Sequence, residues 1–422
     1  MDSRIKELID VSKKKFGLDH YYLKRHGLDR YTDIIGETVY TLTMEWFPEH
    51  VDEPDIESNP EGAAVIEINL YSHKFIRAIF VMDKTYATNG ISFADLSTAD
   101  IIQWLDEETG LTYGSQLQLQ KEEQGRLLLK EVIDGVAVSP SGSVEIKFDQ
   151  DGKLTFYAVH GQFPAKKMIK KEPYTLSFEK VEHLAKEQLK LIEFPSHEQQ
   201  KFIPVYAVEE IYVTNDQMTT IPFEFIVDVN SYIKIDKSLI LDEPINDPFE
   251  RKEISWTEKV TVEQAFSNEP SPDSYPISYK EQAACEQAVK DFLRQEYPDD
   301  SGNWMLKTLH RDKGYIHATL RTNRQDNRVF QRKLMVVIDA ASLQAVNYMD
   351  NQPMLEMMDA FQAPDEVTVD KEEAYKKLIE LMVLEPFYVY DFEQKQYVLC
   401  GKLDCHYGVN ASSGNVIKLN DL

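Results

Sequence analysis

The stretch KLMVVIDAASLQAVNY, residues 333–348, holds two β-rich runs joined by a short polar turn. Apolar residues in such runs follow the two-residue period of a strand. Asp339 stands three residues before Ser342, and a short polar side chain at a strand end can accept a hydrogen bond from the backbone two residues later. Ser then suits the tight part of the turn. The stretch therefore predicts an antiparallel hairpin.

Similar turns recur along the chain at four other pairs of residues: Asn69 and Ser72, Asp149 and Gly152, Asp228 and Ser231, and Asn410 and Ser413. Successive turns are 80, 79, 111 and 71 residues apart. The long interval contains residues 242–276, which hold five prolines and nine acidic against three basic residues. This composition is typical of a linker. Without these 35 residues the interval becomes 76, so the spacing indicates a repeat.

Helix signals precede each group of strands. Capping-box spacing, in which an acidic residue follows the cap by three positions, occurs at Ser97, Ser278 and Asp370. Apolar residues return at helical intervals after each of these caps, and also within 3–16 and 177–192. Five helices are predicted.

These patterns predict an α+β fold of tandem repeats, each with one helix packed on an antiparallel β-sheet. Residues 1–241 would form an N-terminal body of three repeats, at about 1–90, 91–163 and 174–241. Residues 242–276 would form an acidic, proline-rich linker. Residues 277–422 would form a C-terminal body of two repeats, at about 277–350 and 365–422.

The hairpin motifs resemble the PepSY domain, in which a helix is followed by strands ending in a "VDA, any residue, Thr, Gly" turn. The matching residues are VIDAAS at Val337–Ser342, VNASSGNV at Val409–Val416 and FIVDVNS at Phe225–Ser231, and the Gly of the motif is kept at Gly414. Tandem copies on a chain of this length resemble the YcdB/YcdC repeated-domain proteins of Bacillus-type bacteria. The resemblance implies PepSY-like units and a role in inhibiting or regulating peptidases.

The charge limits the classes of partner. The chain has 72 Asp and Glu against 46 Lys and Arg, a net charge of -26. Because nucleic acids and anionic membranes are bound through cationic side chains, neither is an expected partner. The first 30 residues contain no apolar run of signal-peptide length, and three cysteines suit a reducing compartment. We therefore expect a cytoplasmic protein, while its oligomeric state and the identity of its partner stay open.

Two groups of residues are candidate sites. Cys400, Cys405 and His406 form the sole Cys/His cluster of the sequence, but in a continuous strand Cys405 would face away from the other two. Buried thiols are therefore favoured over a metal site or a disulfide. His20, His26 and Asp29 lie in a Tyr-rich segment and include the residue types of general acid–base catalysis. A strand pair packed on the first helix explains the same residues.

A further stretch, NQPMLEMMDAFQAP, carries Met354, Met357, Met358 and Phe361 between two prolines. Packing between neighbouring repeats is favoured for it over filling a partner's groove. No cofactor motif is found, so no cofactor is predicted.

Repeats without a catalytic motif favour a non-enzymatic binding or regulatory protein with a protein or peptide partner. Exposed strand edges would let an extended peptide add a strand. The alternative is a hydrolase that uses Asp, Glu and His in a cleft between the two bodies, near residues 242–276.

Overall fold

The predicted hairpin turns are present. The computed structural model describes residues 1–51, 58–94, 97–161, 163–217, 219–222, 233–323, 326–392 and 394–422. Four of the five turns lie in these ranges, and each places an Asn or Asp side-chain oxygen 2.7–3.0 Å from backbone N–H groups two to four residues later: Asn69, Asp149, Asp339 and Asn410. The fifth turn, at Asp228 and Ser231, lies outside the described residues. The turn prediction is confirmed at the four described positions.

The five predicted helices are also present, together with two short helices. Their bounds are α1 Ser3–Lys15, α2 Thr98–Thr109, α3 Phe178–Gln188, α4 Val262–Ser267, α5 Tyr279–Glu296, α6 Gln352–Glu356 and α7 Lys371–Leu378. α5 begins with a complete capping box between Ser278 and Glu281, and Asp370 accepts a hydrogen bond from Glu373 N at 2.8 Å at the start of α7. Ser97 is the N-cap residue of α2, as predicted, but its side chain makes no capping hydrogen bond, so the predicted capping box does not form there.

The chain divides into two compact units, each assembled from three separate segments. Unit 1 comprises Met1–Ile169, Thr257–Ser274 and Tyr390–Tyr397, and unit 2 comprises Lys170–Trp256, Tyr275–Val389 and Val398–Leu422. The predicted limits of 1–241, 242–276 and 277–422 stay a prediction.

Unit 1 is built on an antiparallel sheet. Its strands are β1 Tyr21–Thr32, β2 Thr38–Pro48, β3 Ala64–Asn69, β4 Phe75–Phe80, β5 Leu117–Glu123, β6 Arg126–Ile133, β7 Val136–Ser139, β8 Ser143–Phe148 and β9 Leu154–His160. The order is β1-β2-β3-β4-β9-β8-β6, and β5 and β7 also pair with β6. Alternation along β3 buries Ile66 and Ile68, and α1 and α2 contribute apolar residues such as Leu8 and Leu105 to the same core.

Unit 2 contains three antiparallel sheets. The strands are β10 Leu189–Ser196, β11 Lys201–Val208, β12 Ile211–Thr214, β13 Thr220–Pro222, β14 Ile233–Leu239, β15 Trp304–Asp312, β16 Tyr315–Thr322, β17 Lys333–Asp339, β18 Ala345–Asp350, β19 Val383–Asp391, β20 Gln396–Asp404, β21 Tyr407–Asn410 and β22 Val416–Lys418. Their orders are β19-β20-β12-β13, β10-β11-β21-β22 and β14-β15-β16-β17-β18. Residues Tyr390–Tyr397, which include the tip of the β19–β20 hairpin, belong to unit 1.

Two of the apolar cores of unit 2 join helices to its sheets. One side of the β10-β11-β21-β22 sheet packs with α3 and α7, through residues such as Val181 and Leu378. The β14–β18 sheet packs with α5, where Phe292 and Leu293 meet Trp304. Burial of these apolar surfaces is the main favourable contribution to folding.

The predicted fold class, tandem repeats of one helix on an antiparallel sheet, is wrong. The protein is mostly β, with large sheets of many strands, and its described residues include seven α-helices. Strands that the prediction placed in different repeats pair with each other, as β4 with β9, β11 with β21 and β14 with β15. The turn motif specifies a hairpin locally but carries no information about which hairpins become neighbours.

Among the helices in the described ranges, none has the length and apolar character of a membrane span.

Candidate functional site

The Cys/His candidates do not come together. Cys400 packs with Tyr212 and Val398 in one apolar cluster, whereas Cys405 belongs to the α3–α7 core and its Sγ lies 3.7 Å from the carbonyl oxygen of Leu381. Both thiols are buried and outside any disulfide, and burial raises the pKa of Cys405. The His406 side chain is 72% exposed. Within the described ranges, no group of three or more His, Cys, Asp or Glu is arranged to hold a metal ion.

The histidines of the N-terminal segment are at the surface. His20 precedes β1 and is exposed, as are His26 and Asp29 within β1. Residues three apart in a strand point to opposite faces, so the spacing separates His26 from Asp29. Thr43 Oγ1 instead donates to Asp29 Oδ2 at 3.3 Å. In the part of the chain that the structure describes, no hydrogen bond joins either imidazole to a carboxylate.

Unit 2 contains a cavity of ≈ 230 Å³ that the sequence did not predict. We call it the arginine pocket and define it by the residues that line it: Glu193, Pro195, Phe202, Thr322, Asp326, Arg328, Phe330, Gln331, Arg332, Gln352, Leu355, Met358 and Asp359. They come from β10, β11, the end of β16, the β16–β17 loop and the α6 region.

Backbone pairing fixes the β16–β17 loop beside β10. Glu193 N donates to Asn327 O at 2.6 Å, and Val329 N donates to Glu193 O at 3.0 Å. These bonds form an isolated parallel bridge between Glu193 and Arg328. The loop thus holds Arg328 at the edge of the β10-β11-β21-β22 sheet.

Arg328 presents its guanidinium to the cavity over an aromatic ring. The guanidinium carbon lies 4.5 Å from the centroid of Phe202, whose side chain is 3% exposed. Phe361 supports Phe202 with its ring centroid 5.8 Å away. Among the described residues, the guanidinium of Arg328 makes no hydrogen bond and no ion pair. A stacked guanidinium with free N–H donors is suited to bind a carboxylate or another planar anion.

Arg332, four residues further, is anchored more tightly. Its Nη2 donates to Asp350 Oδ2 at 2.9 Å, and its guanidinium carbon lies 5.0 Å from the Trp304 ring centroid. Burial alone would lower the pKa of Arg332, but the bond and the charge of Asp350 raise it overall, so the residue stays cationic. Its buried Nε has no hydrogen-bond partner in the described structure.

The arginine pocket also contains carboxylates. Asp326 Oδ1 accepts hydrogen bonds from Gln331 Nε2 at 2.8 Å and from Arg328 N at 3.2 Å. The side chains of Glu193 and Asp359 make no hydrogen bond or ion pair with other described residues. The cavity therefore offers groups of both signs to a ligand.

The Met-rich stretch contributes to this pocket. Met358 is 6% exposed and lines the cavity, whereas Met354 and Met357 are 45% and 71% exposed. Phe361 packs against Phe202 and also against His197, with the latter ring centroids 5.3 Å apart. Part of the stretch thus packs inside unit 2.

One signal in the sequence marked the arginine pocket. Arg328, Arg332 and Lys333 fall within a span of six residues, although the chain as a whole is strongly acidic. The aromatic partner Phe202 is far away in the sequence, so the pattern by itself did not indicate a cavity.

Comparisons with known proteins give little further guidance. No protein-family model and no curated protein sequence matches the chain. Among solved structures, it is similar to the "Bacillus megaterium YpeB C-terminal domain", with 8% sequence identity, coverage of 83% of this chain and 97% of that chain, and a TM-score of 0.22. A likeness at this TM-score carries no argument about fold or function, and membership of the PepSY or YcdB/YcdC families stays a prediction.

Proposed function

We propose that this protein binds a peptide segment of a partner protein, without chemistry, and that the arginine pocket holds part of that segment. The observation that carries the proposal is the guanidinium of Arg328, which lies over Phe202 at 4.5 Å and has no other partner among the described residues. Arg332, four residues further along the chain, is by contrast paired with Asp350.

The surroundings of Arg328 favour binding. The ring of Phe202 and the paired backbone of the loop restrict the arginine before a ligand arrives, so less side-chain entropy is lost on binding. Met358 and Leu355 add apolar surface beside the polar groups, which is the usual composition of a ligand pocket. The cavity of ≈ 230 Å³ is smaller than the ~300–1,000 Å³ typical of drug-sized ligands and suits the ends of one or two side chains.

Two finer statements belong to the same proposal. The resemblance of Val337–Ser342 and Val409–Val416 to PepSY hairpins supports a peptidase as the class of partner, with regulation as the role. The three cysteines, none of which forms a disulfide, support a cytoplasmic location.

Selection from a displayed random-peptide library on the immobilised full-length chain tests the proposal. Peptides enriched on the wild type should bind Arg328→Gln at least tenfold more weakly, because a charge-assisted bidentate contact is lost. Arg328→Lys should restore binding only in part, since an ammonium lacks the planar fork. Lys371→Gln, which removes a positive charge from an exposed position of α7, is the matched control and should bind as the wild type does.

Thermal unfolding of each variant confirms that it is folded. Enriched peptides that bind Arg328→Gln and the wild type equally well, or a selection that enriches no peptide, would contradict the proposal.

A further inference from the structure

Opposite charges in the arginine pocket lie side by side without pairing. Glu193 and Arg328 are bridge partners on neighbouring backbone segments, so their side chains start from adjacent positions. No ion pair joins them in the described structure, and Asp359 also lines the cavity without a partner of its own among these residues. Each group therefore keeps hydrogen-bonding capacity for a ligand.

A ligand with charge of only one sign would be attracted by one of these groups and repelled by the other. A carboxylate alone would pair with Arg328 but would be repelled by Glu193 and Asp359 at short range. The net charge of -26 would also slow the approach of an acidic ligand. A basic group alone would be repelled by Arg328. A ligand that carries both charges satisfies both sets of groups.

The size and the apolar wall of the cavity limit how far apart the two ligand charges are. Phe202, Met358 and Leu355 supply the apolar wall. In ≈ 230 Å³ there is space for two neighbouring side-chain ends rather than for a folded element.

We infer that the arginine pocket recognises a peptide segment in which a basic and an acidic residue are neighbours, with the acidic group on Arg328 and the basic group on Glu193 and Asp359. This inference rests on the proposed function and names the class of segment that is bound. An apolar residue beside the charged pair packs on Phe202 and Met358.

A grid of four synthetic peptides tests the inference by calorimetry. The parent probe is acetyl-Ala-Met-Lys-Asp-Ala-amide, and the other three replace Lys by Gln, Asp by Asn, or both; a second set reverses the order of the charged pair. On the wild type, each neutralisation should weaken binding about tenfold, because each removes one charge-assisted contact. On Arg328→Gln the change of Asp to Asn should have no effect, and on Glu193→Gln the change of Lys to Gln should lose most of its effect.

Lys371→Gln serves as the matched control and should reproduce the wild-type grid. If Glu193→Gln does not fold, the affinities of the four peptides for the wild type and for Arg328→Gln decide whether the inference holds. A peptide with Asp but without Lys that binds as tightly as the parent would overturn the inference, because the pocket would then select a plain anion. The inference is also overturned when library peptides depend on Arg328 but none of the eight probes binds, an outcome that leaves the proposed function intact. Loss of Arg328 dependence in both experiments overturns the inference and the proposed function together.

Discussion

Glu131 in unit 1 and Asp350 in unit 2 both carry carboxyl groups that the fold largely removes from water. The two carboxyl groups differ in the number of hydrogen bonds that they accept. Glu131 is 2% exposed and accepts one hydrogen bond, from Gly142 N at 2.7 Å. Its Oε1 has no partner in the described structure. A Cβ atom at position 142 would lie 2.9 Å from the ring of Phe163, so the close approach of the Gly142 backbone to Glu131 depends on glycine. Burial raises the pKa of Glu131 to about 8, and the carboxyl is protonated at neutral pH.

The carboxyl of Asp350 is almost as buried, with a side chain that is 11% exposed. It accepts hydrogen bonds from Arg332 Nη2 at 2.9 Å, Tyr297 OH at 2.8 Å and Gln352 N at 2.9 Å. Burial alone would raise its pKa, but these donors and the charge of Arg332 lower it overall. The comparison teaches that the partners of a buried carboxyl, and not burial alone, decide whether it is charged.

The largest predicted effect is the loss of pH dependence in Glu131→Gln. The folded protein keeps this proton up to a pH of about 8, whereas the unfolded chain loses it near the ordinary pKa of 4.5. Between these values the folded state binds more protons, so its stability falls as the pH rises through this window. The loss amounts to ~4 kcal/mol and should be absent in the variant.

Urea unfolding at pH 5 and pH 8 measures this difference. The wild type should lose more unfolding free energy than Glu131→Gln over this interval, and Glu107→Gln, at an exposed position of α2, should behave as the wild type does. Parallel pH profiles for the wild type and Glu131→Gln would show that Glu131 is ionised in the folded protein, which would end the contrast with Asp350.

The second prediction concerns the paired carboxyl. Asp350→Asn keeps the shape of the side chain but leaves the guanidinium of Arg332 without its counter-charge in a largely desolvated place. We expect the free energy of unfolding to fall by about 3 kcal/mol, as is usual when one partner of a buried ion pair is removed. Asp359→Asn is the control at an exposed carboxylate and should change stability by less than ~0.5 kcal/mol. Equal effects of the two substitutions in urea unfolding would contradict the assigned role of Arg332.

The smallest predicted effect compares two tyrosines. Tyr297→Phe removes the hydroxyl that donates to Asp350, and we expect a loss of ~1 kcal/mol. Tyr157→Phe, in unit 1, removes a buried hydroxyl that has no hydrogen-bond partner in the described ranges. Its removal should leave stability unchanged or slightly increased, because an unsatisfied polar group is lost. Thermal unfolding of both variants checks the pair, and a larger loss for Tyr157→Phe would reverse the comparison.

Parts of the fold could be predicted from sequence where the deciding bonds are local. The turn at Asn410 is closed by N–H groups two and three residues later, and the cap of α5 links Ser278 to Glu281. The prediction of five related repeats, each a helix on its own sheet, was wrong because no local motif specifies the pairing of β14 with β15 or of β11 with β21.

The candidate site shows the same limit. The sequence singled out His20, His26 and Asp29, which the structure places at the surface. It did not single out Arg328, because Phe202, whose ring the guanidinium covers, is far from Arg328 in the sequence.

By itself, then, the sequence determined the hairpin turns, the helix positions and the acidic charge of this protein, since each depends on composition or on residues a few positions apart. Tertiary structure alone decided which strands are neighbours, which carboxyl keeps its proton and where an arginine meets an aromatic ring. The physical reason is that strand pairing, desolvation and stacking act between groups that are close in space, whatever their separation along the chain.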